Sequence, residues 1–222
     1  MSLLIAVDLA VVLGALAAGF AYTLQFRRLW QGRVGDTDQV RAFRAAAARW
    51  PTPQPVTPTR ILATTAVSPG QQAAAWGGFV WIAAQAPCAG TAVIRNTLCH
   101  GGEHLRRHHG AVFAGAFGLY ITSLLLCAFL GSASGFVVGA VAAVLFFPTL
   151  SRWQERQADQ AIARWGDPAA FCAALAAQPP DPPLPWPWGF FLMTHPSNAS
   201  RIRAVRRTRN TSGGFDDPTG CR

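Results

Sequence analysis

The sequence predicts a mainly α-helical integral membrane protein, with about three transmembrane helices and a cytoplasmic domain carrying a small β piece. Three observations predict it. Hydrophobic residues make up 51% of the 222-residue chain and charged residues only 13%, against about 25% charged in an ordinary soluble domain. Three apolar runs, residues 3–24, 111–130 and 133–150, approach or reach the roughly 20 residues that a helix needs to cross a bilayer. The basic residues, all arginine, cluster at the ends of these runs.

The first run contains one charge, Asp8, and is followed by Arg27, Arg28 and Arg33. A cleaved signal would carry its positive charge before the apolar stretch. Residues 1–26 are therefore expected to form a retained N-terminal transmembrane helix with Asp8 near the outer interface. Arg106 and Arg107 precede the second run, and Arg152 and Arg156 follow the third. Gly131 and Ser132 leave room only for a tight turn, so residues 111–150 read as a transmembrane hairpin. The positive-inside rule puts both hairpin ends on the cytoplasmic face, the side assigned to the end of the first helix. The expected location is the cell (inner or plasma) membrane, multi-pass, with the polar residues facing the cytoplasm. The net charge of +9 then belongs to membrane boundaries and the lipid bilayer, and no nucleic-acid partner is expected. Five cysteines without C-x-x-C spacing make no disulfide framework.

The remaining elements follow from local chemistry. Residues 37–50 predict a helix capped by Thr37 or Asp36, and Pro51, Pro53, Pro55 and Pro58 an extended connector. RILATTAV, from Arg60, predicts a strand, and AAAWGGFVWIAAQ a hairpin turning at Gly77-Gly78. Residues 91–109 predict a helix. Residues 151–177 predict helix broken near Gly166-Asp167-Pro168, with Asp167 or Gly166 capping the second piece. A proline-rich loop with Trp186 and Trp188 follows, then a helix start near Ser197. Residues 27–222 are expected to form one domain interrupted by the hairpin, with 208–222 as a disordered tail.

His100 and His104 lie four apart, which on a helix sets both imidazoles on one face at a spacing that one zinc ion can bridge. Glu155 is the best third ligand, because the hairpin returns the chain to the same membrane face beside the histidine helix. Two histidines and a carboxylate leave a position open for water, the catalytic form of a zinc site; Fe2+ is the alternative metal. His108 and His109 read as polar caps at the membrane boundary, and Cys99 as a core residue.

These residues stand in an ordered set: His100-Gly-Gly-Glu-His104-Leu-Arg-Arg-His-His, a hairpin, Glu155-Arg-Gln-Ala-Asp159, then Thr194-His195-Pro196 and Arg201-Ile202. The set resembles the HtpX and CAAX prenyl protease-type membrane zinc metallopeptidases, which are gluzincin-like, over roughly residues 35–207. The resemblance implies a zincin-like domain that cleaves peptide or protein substrates with metal-activated water. It implies that His100, His104 and Glu155 hold Zn2+ and that Asp159 orients a histidine ligand. It further implies that His195 stabilises the oxyanion and that Arg201 pairs with a carboxylate of the site or fixes the His195 segment. An extended substrate would pair with an edge strand around Trp76 to Ala84.

One departure matters. Where the family carries the glutamate that activates water, this chain has Gly101, so the His-Glu-x-x-His motif is degenerate (HGGEH). Glu103, in the inverted order H-x-x-E-H, is the nearest replacement as catalytic base. The glycine pair weakens the helix by about 1 kcal/mol per residue relative to alanine, which points to close approach of another segment or to a relaxed site. Three functions fit: a zinc endopeptidase using Glu103, a metalloenzyme repurposed for non-proteolytic chemistry, and a partner-binding pseudo-peptidase. The oligomeric state is left open.

Overall fold

The computed structural model describes residues 3–50, 55–67, 72–85, 89–131, 133–178 and 196–211. These form seven α-helices and a three-stranded sheet. The helices are α1 (Leu3–Gln31), α2 (Asp38–Ala48), α3 (Thr91–Arg106), α4 (His109–Phe129), α5 (Ala133–Trp165), α6 (Pro168–Ala176) and α7 (Asn198–Thr211). The strands are β1 (Ile61–Thr64), β2 (Ala73–Trp76) and β3 (Phe79–Ala83). Residues 212–222 of the expected tail and residues 179–195, with the Pro/Trp loop, lie outside the described residues.

Among the described residues, α1 and α4 are long and apolar enough to cross a membrane. Only 17% and 11% of their most apolar windows are buried, whereas a core helix of a soluble protein would be mostly enclosed. They pack on each other at Gly14 and Gly118. A Cβ on Gly118 would lie 2.7 Å from the Gly14 carbonyl oxygen, and one on Gly14 would lie 2.6 Å from that of Gly118. Small residues thus let the two backbones touch, since glycine has no Cβ to hold them apart. The third expected span, 133–150, is the first half of α5. This single helix runs on through Pro148 into the polar stretch after Ser151.

Thr37 accepts a hydrogen bond from the Val40 amide and caps α2, and Asp167 does the same for α6 through Ala170. Gly77 and Gly78 take φ of 61° and 84°. Both lie in the left-handed region that a two-residue hairpin turn requires and that glycine enters without strain. This turn joins β2 to β3, and β3 pairs in parallel with β1, so the order is β1-β3-β2. The parallel pairing was not expected from the sequence. It puts β3 in the middle of the sheet, so of the segment from Trp76 to Ala84 only the β2 end lies on an edge.

The sheet is buried on both faces. On one side Val40, Phe43 and Ala47 of α2 and Ile94 and Leu98 of α3 pack against Ile61, Ala63, Val80 and Ile82. On the other, Leu29 of α1 closes over Leu62 and Trp81, with Phe26, Trp76 and Phe79 around them. Two hydrogen bonds fasten this contact: Trp76 Nε1 donates to the Tyr22 carbonyl (3.1 Å) and Thr64 Oγ1 to that of Leu29 (2.9 Å). The polar end of α1 is therefore part of the same body as α3.

The glycine pair of α3 faces this body. A Cβ on Gly102 would lie 2.6 Å from the carbonyl oxygen of Pro55, so the proline-rich connector crosses the helix where only glycine fits. A Cβ on Gly101 would meet a Val80 methyl at 3.2 Å, a side-chain contact that can adjust. The two positions should therefore respond differently to substitution. Gly101→Ala should keep or raise the thermal midpoint, because the helix gains about 1 kcal/mol. Gly102→Ala should lower it, because backbone overpacking costs roughly 1–3 kcal/mol and outweighs that gain. Melting of both variants in detergent, followed by circular dichroism, checks the contrast.

Candidate metal centre

Helix α3 turns Ile94 and Leu98 into the core and presents His100 and His104 to α5, where Glu155 and Asp159 are likewise one turn apart. The Nε2 atoms of the two histidines are 3.2 Å apart. Glu155 places one oxygen 3.4 Å from Nε2 of His100 and the other 3.4 Å from Nε2 of His104. With one donor atom from each residue, the three lie within 4.8 Å of one another. Donors bonded to one tetrahedral zinc at about 2.0–2.2 Å sit roughly 3.3–3.6 Å apart. The donor set and its spacing fit such an ion.

The electrostatics agree. Burial works to depress the His100 pKa, but the Asp159 and Glu155 carboxylates outweigh it and hold the imidazole at about 9. Burial and the charge on His100 push His104 down, partly opposed by Glu155. Two close imidazoles facing a carboxylate call for one positive charge between them. The raised pKa of His100 marks where the carboxylates favour that charge, and a bound cation would supply it in place of a proton.

Behind His100 stands Asp159, fully enclosed, with Oδ1 at 3.3 Å from Nδ1. This contact is too poorly aligned for a full hydrogen bond, and Nδ1 has no other polar partner among the described residues. Asp159 accepts two hydrogen bonds from Arg201, from Nε at 2.8 Å and Nη2 at 2.7 Å. Burial would raise its carboxyl; the guanidinium and His100 hold it below the usual range. Arg201 comes from α7, whose first turn is capped by Ser197, and lies over the ring of Phe171 in α6. Asn96 of α3 fixes the α5–α6 corner, donating to the Asp167 carbonyl and accepting from its amide.

Glu103 is turned to arginine. Arg106 grips both its oxygens, at 2.8 and 2.7 Å, and Arg107 adds a third contact. Burial would raise the carboxyl, but these bonds hold it at about 2. Its side chain makes no hydrogen bond to either imidazole among the described residues. His195 lies outside the described residues. Cys99 is buried, its thiol pushed up to about 12 by desolvation, so it stands as a packing residue.

Residues 91–209, more than half of the chain, match peptidase family M48. The chain belongs to that family. M48 peptidases are metal-dependent, and the His-His-Glu group lies inside the matched segment. No significant match was found among curated proteins or solved structures.

The sequence reading of His109 requires correction. It is not a boundary cap: it is 3% exposed, with Nδ1 2.8 Å from Nδ1 of His104 and Nε2 3.1 Å from Oε1 of Gln157. Its signal in the sequence was present but unreadable. On a continuous helix residue 109 would point about 140° away from residue 104. The helix instead breaks at His108, which adopts φ 53°.

The Asp159–Arg201 pair generates a stability prediction for this M48 domain. Arg201→Met leaves a buried carboxylate with only His100 and should destabilise the protein by about 3–5 kcal/mol. Adding Asp159→Asn to that variant should restore part of the loss, because the stranded charge is gone. Chemical denaturation of the two variants beside the parent measures both.

Proposed function

We propose that the protein is a membrane-embedded, zinc-dependent metallopeptidase of the HtpX and CAAX prenyl protease type, with its site at the cytoplasmic face. The observation that carries this reading is the convergence of His100, His104 and Glu155 at ligand-like spacing within a segment that matches the M48 family. The exposure of α1 and α4 supports the bilayer as their surroundings. Zinc held by these residues would polarise a peptide carbonyl and activate water.

The chain's own residues then have distinct tasks. Asp159, anchored by Arg201, orients His100. His195 supplies a donor to the developing oxyanion. Glu103 takes the proton of the attacking water and returns it to the leaving amine, which requires its fork with Arg106 and Arg107 to loosen. The outer edge of β2 offers backbone partners to an extended peptide.

One observation favours a second reading. Position 101 is glycine, and Glu103 is neutralised by two guanidinium groups. A metal-holding pseudo-peptidase that binds a partner without cleaving it has the same ligands and no free base.

Metal analysis and turnover separate the two. Detergent-purified protein should carry one zinc per chain, lost in His104→Ala and in Glu155→Ala. The parent should cleave an unfolded casein-type substrate, and Glu103→Ala should lose about 10²–10⁴-fold in rate. Zinc without turnover in the parent would establish the second reading. Iron in place of zinc would point to repurposed chemistry, and absence of any metal would overturn the enzymatic proposal.

A further inference from the structure

A histidine offers Nε2 to a metal only when its remaining proton sits on Nδ1, and the partner of Nδ1 decides which form is present. For His100 that partner is Asp159. For His104, whose ring contacts no carboxylate at Nδ1, it is His109, at 2.8 Å. Two imidazole nitrogens that close must share one proton, so one of them is bare. His109 in turn meets Gln157 Oε1 at 3.1 Å, and an amide oxygen only accepts. The His109 proton therefore sits on Nε2, its Nδ1 is bare, and the shared proton belongs to His104 Nδ1. This leaves Nε2 of His104 with a free lone pair directed at His100 and Glu155. The chain of donors runs one way, from His104 through His109 to Gln157, and the opposite order would place the His104 proton on the nitrogen facing the ligand cluster.

The surrounding structure holds this arrangement. Gln154 donates to the His109 backbone carbonyl at 3.1 Å, and Trp153 lies against the His109 ring at 6.1 Å between centroids. Gln154 and Gln157 are three apart on α5, between and beside Glu155 and Asp159. One helix thus presents the carboxylates to the ligand histidines and the amides to the histidine behind them. The left-handed residue His108 makes the break that turns His109 back toward α3.

We propose that His109 and Gln157 are positioning residues, which fix His104 in its metal-binding tautomer by accepting, in series, the protons of His104 Nδ1 and His109 Nε2. The proposal rests on His104 being a metal ligand, as argued above.

The test is zinc affinity of the full-length protein in detergent, read by competition with a chromophoric chelator at fixed pH. Three variants are compared with the parent. Gln157→Leu removes the terminal acceptor, His109→Phe removes the relay while keeping a ring, and Gln157→Glu keeps an oxygen acceptor. Gln157 is partly exposed, so Gln157→Leu tests the relay even if His109→Phe does not fold. Gln157→Leu and His109→Phe should weaken zinc binding about 10–100-fold, and Gln157→Glu should bind like the parent. Leucine keeps comparable bulk without an acceptor and glutamate keeps the acceptor oxygen, so the pair of variants separates hydrogen-bond acceptance from side-chain volume. Parent-like affinity in Gln157→Leu, or a loss in Gln157→Glu equal to that in Gln157→Leu, would overturn the relay and leave the metal site standing. A parent that binds no zinc would overturn the metal site and the relay with it.

Discussion

The facing of α3 and α5 is the constraint on which the rest of the structure depends. Two imidazoles on one helix oppose two carboxylates on the other, each pair one turn apart, in partly or fully buried positions. Such an arrangement is unstable on its own, since burying Asp159 beside a largely buried cluster that already holds Glu155 strands a negative charge. Arg201 answers that charge with a two-point grip, and bringing it there requires α7 to lie across α5. Asn96, Gly166 and the α5–α6 corner then follow, because α6 and its Phe171 ring must pack under the same guanidinium. On the other side, α3 is pressed against the sheet, and the sheet against the end of α1, by apolar burial and by Trp76 and Thr64. The position of the ligand cluster relative to the apolar helices is thus set by packing on both faces of α3.

Much of this could be read from sequence because it rests on periodicity and topology. The four-residue spacing of His100 and His104 defines one helix face, and a hairpin with a two-residue turn can only return Glu155 beside it. Caps at Thr37, Asp167 and Ser197 and the Gly77-Gly78 turn are local chemistry, decided by residues within a few positions of each other. What was not legible depends on geometry that local patterns do not carry. The parallel pairing of β1 with β3 joins segments separated by the hairpin of β2 and has no sequence signature of its own. The role of His109 is hidden by a helix break at a non-glycine residue, which nothing in LRRHHG announces. His195, read as a site residue from its motif, falls outside the described residues, so its place rests on the family resemblance alone.

The glycine pair shows how packing and chemistry compete at one place. Gly102 has a structural cause: the Pro55 carbonyl occupies the space that a side chain would need. Gly101 has none as severe, since its nearest neighbour is the tip of Val80, yet this is where the resemblance to HtpX-type peptidases would place a glutamate. A carboxylate there would enter a buried wall formed by β3. The helix thus sets two candidate ligands on either side of a glycine pair, of which Gly102 meets backbone and Gly101 meets only a side-chain methyl, at 3.2 Å.

The glycine at position 101 bears on the role of Glu103. A base must bring a lone pair to the reacting water, and Glu103 spends both of its oxygens on Arg106 and Arg107. Those arginines stand at the end of α3, where the chain turns into the apolar helix α4, so the two charges that precede α4 also hold the only acidic side chain of the histidine helix. Loosening the fork would expose two guanidinium groups beside the apolar helices, a place where anionic lipid headgroups can take over as their partners. On the proposed endopeptidase reading, proton transfer by Glu103 and the seating of the α3–α4 corner at a membrane surface would be one equilibrium. On the endopeptidase reading, activity should depend on the lipid surroundings of Arg106 and Arg107 as well as on the ligands themselves.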